Sequence, residues 1–406
     1  MIAGGGVAGL EALLALRELA EERVELQLLA PEPLFWYRPL AVAEPFGLGS
    51  VHRVELSEVA AATRASFSLA ALGSIDLRRR CAWTADGARL DYDALVIACG
   101  ATPEAVVEGA LTFRGPADTD RFRLLLQELD AGAVRKLVFA VPAGVAWSLP
   151  LYELALLTAA RLHGSVDGVE LALVTPEERP LQLLGAEASL AVRELLEERG
   201  IGFHGHSSPL AFDQRRLRSA YGEEVEADRV VALPRLCGRR IEGLPHDRAG
   251  FLTVDPHGRV LDEGEIAAEG LYAAGDITGF PLKQGGFAAQ QADEAAEAIA
   301  AAAGAPVDPS PFRPILRGLL LTGAVPRYLR TELTARGVAT EIALGPLWWP
   351  PTKIAARRLS PFLAGHALEQ PAIETAIPVE LDLKVASGRP EAYTPGNRRG
   401  RRCQQG

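Results

Sequence analysis

The sequence predicts an α/β fold with two Rossmann-like, dinucleotide-binding units. Three observations support this prediction. Gly4, Gly6 and Gly9 have GxGxxG spacing between a short apolar stretch and an apolar-periodic run. A second strand, turn and helix pattern occupies residues 136–162. A further buried apolar run, residues 271–275, leads into a Gly-Asp pair.

The glycines of the first turn have different expected roles. Gly4 allows a tight turn, Gly6 lets a pyrophosphate approach the backbone, and Gly9 lets the following helix pack closely on the strand. The free N–H groups at the start of that helix, at Val7 and Ala8, are expected to face the phosphates. Because GxGxxG alone is a weak signal, the assignment depends on motifs farther along the chain.

Two strands are predicted around this turn. Only residues 1–3 precede Gly4, so either this strand is short or the true start lies upstream. Residues 24–29 predict the second strand. A carboxylate that binds a ribose is expected about 20 residues after the glycines. Glu32 is the candidate, and the alternative is a solvated glutamate in a loop.

Residues 34–40, Leu-Phe-Trp-Tyr-Arg-Pro-Leu, combine three aromatic side chains with a guanidinium. Aromatic side chains in a row usually belong to a core. Arg38 and Pro39 follow directly after a dinucleotide half-site, so they are equally expected to lie along the ring system of a ligand. Both interpretations stay open at this point.

The rest of the first unit ends in another buried strand. Asp86-Gly87 predicts a hairpin turn. Residues 92–98 predict a fully buried strand, which ends in a turn that contains Gly100 and Thr102. Cys99, at the end of this strand, is expected to be a small packing residue rather than a reactive thiol.

The second unit repeats the pattern without the glycines. Residues 136–141 predict a strand and residues 151–162 a helix, but the turn between them contains Trp147 and Pro150 where phosphates need bare backbone. A tightly bound second dinucleotide in the usual pose is therefore doubtful. Glu177 follows the next strand, residues 169–175, as a ribose-binding acid does. A helix is predicted over residues 186–199, with Gly200 after its end.

The chain then returns to the first unit. A strand at residues 229–234 and a loop at 245–250 lead to the buried run before Asp276. This carboxylate, at the end of a strand, is placed to hydrogen-bond ligand hydroxyls, unless it caps the next turn. An alanine-rich helix is predicted over residues 285–303. Its positive end and Lys283 are expected to stabilise negative charge on a ligand, unless Lys283 is a solvated loop lysine.

The C-terminal region carries aromatic and basic residues close together. Trp348, Trp349 and Lys353 precede an amphipathic stretch that ends at Gly365. Three interpretations stay open: contact with a membrane interface, a homodimer contact, or a cover over the ligand. From residue 386 onwards, Gly, Pro, Arg and Gln dominate, which predicts a disordered tail.

Composition excludes several classes of function. The net charge of −10 argues against a nucleic-acid partner. No run reaches the roughly 20 apolar residues of a membrane span and no signal peptide is visible, so a cytoplasmic location is expected, with peripheral contact at the inner face of the cell membrane as an addition. The four cysteines lack CxxC spacing, which predicts neither a disulfide framework nor a metal site.

Three separated segments together resemble the FAD signatures of the pyridine nucleotide-disulfide oxidoreductase superfamily. They are the opening glycine turn, Ala98-Cys99-Gly100-Ala101-Thr102-Pro103 and Tyr272-Ala273-Ala274-Gly275-Asp276. Within the superfamily, the chain is most similar to the branch of type II NADH dehydrogenases and sulfide:quinone oxidoreductases. This similarity rests on Tyr37-Arg38-Pro39-Leu40, Leu149-Pro150-Leu151-Tyr152-Glu153 and Pro281-Leu282-Lys283-Gln284-Gly285-Gly286.

The resemblance implies an FAD domain that is split by an inserted NAD(P)-binding-like domain. The expected boundaries are 1–110 and 248–304 for the FAD domain, 111–247 for the insertion, 305–385 for a small C-terminal region and 386–406 for the tail. It also implies that Asp276 binds the ribityl chain of FAD and that Lys283 is the catalytic residue beside the flavin. The predicted FAD-binding residues are Gly4, Gly6, Val7, Ala8, Gly9, Glu32, Arg38, Pro39, Gly100, Thr102, Gly275, Asp276, Lys283 and Gln284.

Departures from the family pattern limit the predicted function. No redox cysteine pair is visible, and Cys237 alone cannot form the disulfide that sulfide oxidation requires. The altered second turn argues against NADH oxidation, but Glu177, as a ribose-binding acid, is compatible with NAD(P)H as a substrate. The sequence therefore predicts an FAD-dependent oxidoreductase that passes electrons from a small-molecule donor to a small-molecule acceptor, with a quinone favoured. The alternative is a flavin-binding electron relay or redox sensor without steady turnover.

Overall fold

The computed structural model of the chain describes residues 1–145, 147–164, 168–334 and 337–365. The predicted disordered tail and the last part of the predicted C-terminal region lie outside the described residues. The strands are β1 (Ile2–Ala3), β2 (Gln27–Ala30), β3 (Leu34–Trp36), β4 (Arg53–Glu55), β5 (Ser66–Leu69), β6 (Leu72–Asp76), β7 (Cys81–Thr84), β8 (Arg89–Asp91), β9 (Leu95–Ile97), β10 (Ala101–Glu104), β11 (Leu111–Thr112), β12 (Lys136–Ala140), β13 (Glu170–Val174), β14 (Ile201–His204), β15 (Pro209–Asp213), β16 (Arg216–Ser219), β17 (Glu224–Glu226), β18 (Arg229–Ala232), β19 (Arg235–Gly238), β20 (Leu261–Asp262), β21 (Glu265–Ile266), β22 (Leu271–Ala273), β23 (Ile315–Leu320), β24 (Arg327–Thr334) and β25 (Gly337–Ala343). The helices are α1 (Val7–Ala20), α2 (Leu56–Ala62), α3 (Thr119–Asp130), α4 (Leu149–Leu162), α5 (Ala186–Glu198), α6 (Gly285–Ala302) and α7 (Leu359–Gly365).

The first sheet is parallel and has the strand order β22-β9-β1-β2-β5. Its central strand, β1, has two residues, and Ile2 lies between Leu28 of β2 and Val96 of β9. The strand β22 comes much later in the sequence and pairs with β9 in this sheet. Segments from both ends of residues 1–273 therefore build one sheet, with the second sheet between them in sequence.

Two helices cover one face of the first sheet and pack against each other. Six of the ten buried residues of α6 are alanine, at positions 288, 289, 292, 295, 296 and 300. Alanine methyl groups leave room for α1, whose larger side chains Leu10, Leu13 and Leu16 fill the space between helix and sheet. This packing holds the start of each helix at the carboxyl edge of the same sheet.

The second sheet is also parallel, in the order β11-β18-β12-β13-β14. The predicted strands and helices of this region are confirmed within a few residues. Gly200 has a φ of +65° directly after α5, as a helix-ending glycine requires. The predicted α/β fold with two Rossmann-like units, the second inserted into the first, is thus confirmed. The boundaries at residues 110, 247 and 304 stay predictions.

The C-terminal region forms an antiparallel sheet, β23-β24-β25, followed by α7. The apolar side chains that sequence placed on an amphipathic face are mostly internal: Ile354, Leu359 and Leu363 belong to the core that α1 and α6 form. These side chains are therefore not available to a membrane interface, which corrects that part of the expectation. Trp349, which is 83% exposed, is the large apolar side chain of this segment that faces outward.

Within the described ranges, no helix is both long enough and apolar enough to span a membrane.

Arg358 holds the C-terminal segment against both helices of the first unit. Its side chain is 5% exposed and donates hydrogen bonds to Glu18 of α1 and to Asp293 of α6. The carboxylate of Glu11, also on α1, accepts the backbone N–H groups of Arg358 and Leu359 at 2.8 and 2.6 Å. The segment that carries Lys353 and Ile354 inward is therefore anchored just beyond those residues.

We expect Arg358→Ala to lower the free energy of unfolding by about 3 kcal/mol, because it leaves the carboxylate of Asp293 buried without its partner. Arg357→Ala is the matched control. Its side chain is 65% exposed and reaches Glu297 only at 3.9 Å, so its effect should stay within about 0.5 kcal/mol. Denaturant unfolding followed by tryptophan fluorescence measures both changes. Equal stabilities of the two variants would contradict the anchoring role of Arg358.

Candidate functional site

A cavity of about 530 Å³ lies at the carboxyl edge of the first sheet. We call it the first cavity. It brings together the opening glycine turn, the end of β9 and the residues after β22, which are far apart in sequence. Ten of the predicted FAD-binding residues line it: Gly4, Gly6, Val7, Ala8, Glu32, Arg38, Pro39, Gly100, Gly275 and Asp276.

The glycines of the opening turn occupy three different environments. A Cβ atom at Gly4 would lie 2.1 Å from the carbonyl oxygen of Ala98, and one at Gly9 would lie 1.8 Å from the carbonyl oxygen of Gly4. Both positions therefore require glycine so that helix and strands can meet. A Cβ at Gly6 would meet nothing within 4 Å, which leaves this backbone open to a ligand.

The start of α1 has no side-chain cap. The first-turn N–H groups of a helix lack partners within the helix, so they need an external acceptor. Val7 and Ala8, in this first turn, line the first cavity. The arrangement suits an anion such as a pyrophosphate.

Asp276 faces the first cavity with a carboxylate that accepts no hydrogen bond from any described residue. Burial raises the pKa of this carboxyl group, and the nearby Lys283 and Arg38 oppose that rise. The alternative role, a cap of the next turn, is not seen, because Thr278 bonds to the carbonyl of Gly275 instead. An unpartnered carboxylate beside a phosphate-type turn fits the hydroxyl groups of FAD.

Residues 34–40 fulfil both roles that the sequence left open: some lie in the core and others line the first cavity. Phe35 and Tyr37 are buried in the core, and the hydroxyl of Tyr37 accepts the N–H of Ile354 at 2.9 Å. Arg38 and Pro39 line the cavity. Glu32 is exposed at the cavity rim, where a ribose carboxylate is expected.

Four predicted residues do not line the first cavity. Gly9 acts through close packing, as described above. Thr102 lies in β10 opposite Cys237 of β19. The side chain of Gln284 caps α6, accepting the N–H of Phe287 at 3.1 Å, and donates to the carbonyl of Arg317 at 2.9 Å. Lys283 and Gln284 line a neighbouring cavity instead.

This second cavity has a volume of about 280 Å³ and adjoins the first. Five residues line both: Arg38, Pro39, Asp276, Gly285 and Ile354. Its other walls come from the inserted unit, from the C-terminal region and, through Ala41 and Val42, from the first unit, and they are largely apolar. Examples are Phe113, Val145, Trp147, Leu149 and Leu319. The junction of the two cavities lies at the start of α6.

Lys283 extends along the wall of the second cavity. Its amino group donates to the carbonyl of Thr278 and lies 4.0 Å from the ring centre of Phe251. Burial lowers the pKa of Lys283 to about 8, and Asp276 and Asp247 limit the decrease. Lys283 is thus a half-buried cation near the junction rather than the solvated loop lysine of the alternative interpretation.

A buried ion pair is among the polar groups that line the second cavity. The amino group of Lys353 lies 2.7 and 2.5 Å from the two carboxylate oxygens of Glu153, and the N–H of Leu321 donates to Oε1 at 2.9 Å. Burial raises the pKa of Glu153 and lowers that of Lys353, while their mutual attraction opposes both shifts. The two groups therefore approach each other in proton affinity.

No sequence motif predicted the pairing of Glu153 with Lys353. The available signal was Glu153 itself, a carboxylate in the predominantly apolar and largely buried helix α4.

Residues 1–302 match the family model described as pyridine nucleotide-disulphide oxidoreductase. The chain belongs to this family. The superfamily that its motifs resembled is thereby confirmed, and the family supports an FAD-dependent oxidoreductase.

Among curated proteins, human apoptosis-inducing factor 3 is 28% identical to this chain over 225 residues. The aligned region covers 52% of this chain and 33% of that protein. The match thus spans about a third of the length of that relative. Among solved structures, the chain is similar to the sulfide:quinone oxidoreductase of Aquifex aeolicus, with a TM-score of 0.75 and 21% identity over 84% of this chain and 86% of that one. NDH2 of Plasmodium falciparum is more distant, with a TM-score of 0.55 and 16% identity over 68% and 63%. These structures show a shared fold.

The cysteines of this family member are not arranged as a redox pair in the part of the chain that the structure describes, where Cys81, Cys99 and Cys237 are free. The thiol of Cys99 donates to the carbonyl of Ala3 at 3.3 Å, and burial raises its pKa to about 11. This environment agrees with a packing role. Cys237 donates to Glu104 at 3.2 Å. No metal-binding cluster of His, Cys, Asp or Glu occurs among the described residues.

Glu177, the predicted ribose acid of the second unit, is turned inward. Its carboxylate accepts hydrogen bonds from Tyr152 at 2.7 Å, Thr175 at 3.1 Å and Ser148 at 3.2 Å. His204 and His206, in contrast, are exposed.

We expect Gly6→Ala to keep the fold but to weaken FAD binding by at least about tenfold, since the added methyl group enters open cavity space beside the turn. Gly9→Ala is the contrasting variant. Its methyl group collides with the backbone of Gly4, so we expect unfolding to become easier by at least about 2 kcal/mol. Flavin content from absorbance and thermal melting of the flavin-stripped protein measure the two effects. Normal flavin affinity in Gly6→Ala would contradict a phosphate site at this turn.

Proposed function

We propose that this chain is an FAD-dependent oxidoreductase that passes electrons from a reductant through the flavin to a quinone in the second cavity. The observation that carries the proposal is the junction of the two cavities, which share Arg38, Asp276 and Ile354 among their lining residues. A ligand bound at this junction would contact residues of both cavities. The reductant loses two electrons and two protons, and the quinone takes up both and becomes a quinol.

The first cavity suits FAD group by group. The open backbone at Gly6 and the uncapped start of α1 would hold the phosphates. Glu32 would accept hydroxyl groups of the adenosine ribose, and Asp276 those of the ribityl chain. When bound there, FAD supplies the two-electron chemistry, while the chain supplies orientation and charge.

The second cavity suits the head of a quinone. Phe113, Trp147 and Leu319 offer apolar surface to a flat ring, and the paired Glu153 and Lys353 offer a proton donor to a carbonyl oxygen. Burial raises the pKa of Glu153 and lowers that of Lys353, so desolvation favours proton release from Lys353 more than it would in water.

The outer side of the C-terminal segment supports peripheral contact at the inner face of the cell membrane, from which a quinone would enter. Trp349 and Leu344 are exposed at the end of the C-terminal sheet. A homodimer through the same surface is the other arrangement that this exposure supports, and the rest of the chain is expected in the cytoplasm. NAD(P)H is the donor that the sequence left open, and the proposal does not depend on it.

Reduction with dithionite followed by mixing with a soluble short-chain quinone tests the function. We expect rapid recovery of the oxidised absorbance in the wild type. In the double variant Glu153→Gln/Lys353→Met, which removes both buried charges, we expect a rate lower by about 10²-fold, as for loss of a general acid. Lys136→Met, at an exposed ion pair, is the control. Slow recovery in the wild type would favour the alternative, an electron relay or redox sensor.

Lys283 should make the reaction sensitive to pH. Its pKa of about 8 means that the amino group is positive below that pH and neutral above it. A positive charge at the junction stabilises negative charge that develops during electron transfer, so we expect the rate of flavin reduction to fall as the pH rises through 8. In Lys283→Met, we expect a lower rate of flavin reduction that does not fall further as the pH rises through 8. A step of equal size in the variant would assign the pH dependence to another group.

A further inference from the structure

The carboxylate of Glu177 lies close to the N-terminal end of α4. In the second unit, α4 is the helix whose start would face the pyrophosphate of a bound dinucleotide. Its N-cap residue, Ser148, makes no capping bond, and its hydroxyl is within 3.2 Å of Glu177. Tyr152, in the first turn, donates to the other carboxylate oxygen. The negative charge of Glu177 therefore sits beside the helix start.

Side chains lie close to the described residues of the turn before α4. Gly144 is the single glycine between Val141 and Pro150, and a Cβ there would lie 3.3 Å from Cδ of Arg235. Trp147 extends towards the C-terminal sheet, and its ring would lie 3.5 Å from a Cβ at Gly318. Pro150 has no N–H to offer an anion. The bare backbone that a pyrophosphate needs is thus absent from these described positions.

The first unit shows the contrast. There the helix start is uncapped, the equivalent turn at Gly6 is open, and Glu32 is exposed at the rim. Glu177 is the counterpart of Glu32 in the second unit, but its oxygens already accept three hydrogen bonds from the chain. A ribose would have to displace these donors, and a pyrophosphate would meet a like charge.

From these contacts we infer that the inserted unit is closed to NAD(P)H, that Glu177 contributes to this closure together with the described residues of the turn, and that the reductant is a small molecule other than a dinucleotide. The second cavity sets the size of that reductant. At about 280 Å³, it is slightly smaller than the roughly 300 to 1,000 Å³ of typical small-molecule sites, so it accepts one compact molecule at a time. Donor and quinone then use this cavity in turn. This inference on the donor deepens the proposed function and rests on it.

Two measurements on the wild-type protein test the closure. Calorimetric titration with NADH and NADPH should give a Kd weaker than about 1 mM. Under anaerobic conditions, neither nucleotide should bleach the flavin, whereas dithionite should. A micromolar Kd or rapid bleaching by either nucleotide overturns the inference and leaves the proposed function standing. If the protein contains no reducible flavin, the proposed function is wrong instead. The titration then still shows whether the inserted unit binds NAD(P)H.

The role of Glu177 is tested separately by substitution. Glu177→Ala removes both the charge and the bulk, and we expect NADH to bind at least about tenfold more tightly than to the wild type. Glu178→Ala, at the exposed neighbouring position, should leave the affinity unchanged. Glu177→Gln keeps the shape of the side chain and removes only its charge, so it serves as the control for misfolding. We expect it to give a smaller gain in NADH affinity than Glu177→Ala. No gain in either Glu177 variant would contradict the assignment of this residue.

Discussion

The close approach of α1 to the first sheet is the constraint on which the site depends. Side chains at Gly4 or Gly9 would overlap backbone atoms at about 2 Å, so the helix can begin directly above the sheet edge only because these positions lack a Cβ. The same approach aims the uncapped N–H groups of α1 into the first cavity. The alanine face of α6 then lets the second helix start beside it, next to Asp276. Two helix ends and one unpartnered carboxylate thus meet at one edge.

The two Rossmann-like units share a topology and differ in what occupies the start of the helix. In the first unit that position is open space. In the second, the carboxylate of Glu177 accepts bonds from Ser148, Tyr152 and Thr175. In the second unit, negative charge close to the helix N-terminus is thus supplied by the chain itself. The inserted unit also contributes walls to the second cavity, through Trp147 and Glu153.

The C-terminal segment completes the site from outside the nucleotide-binding fold. Arg358 and the carboxylate of Glu11 fix the segment to α1 and α6, and the residues just before them, Lys353 and Ile354, reach the cavities. The buried pair between Lys353 and Glu153 joins residues that are 200 positions apart. Desolvation is costly for both charges, which is why each is buried only in contact with the other.

The sequence by itself determined the family, the two parallel sheets and most of the first cavity, because glycine spacing and buried apolar runs are local patterns with local physical causes. Gly4, Gly6, Gly100 and Asp276 could be named without coordinates for that reason. Only the tertiary structure decided which polar groups face each other. The pairing of Glu153 with Lys353, the inward turn of Glu177 and the capping role of Gln284 each depend on distances between separate segments, and no spacing along the chain encodes those distances.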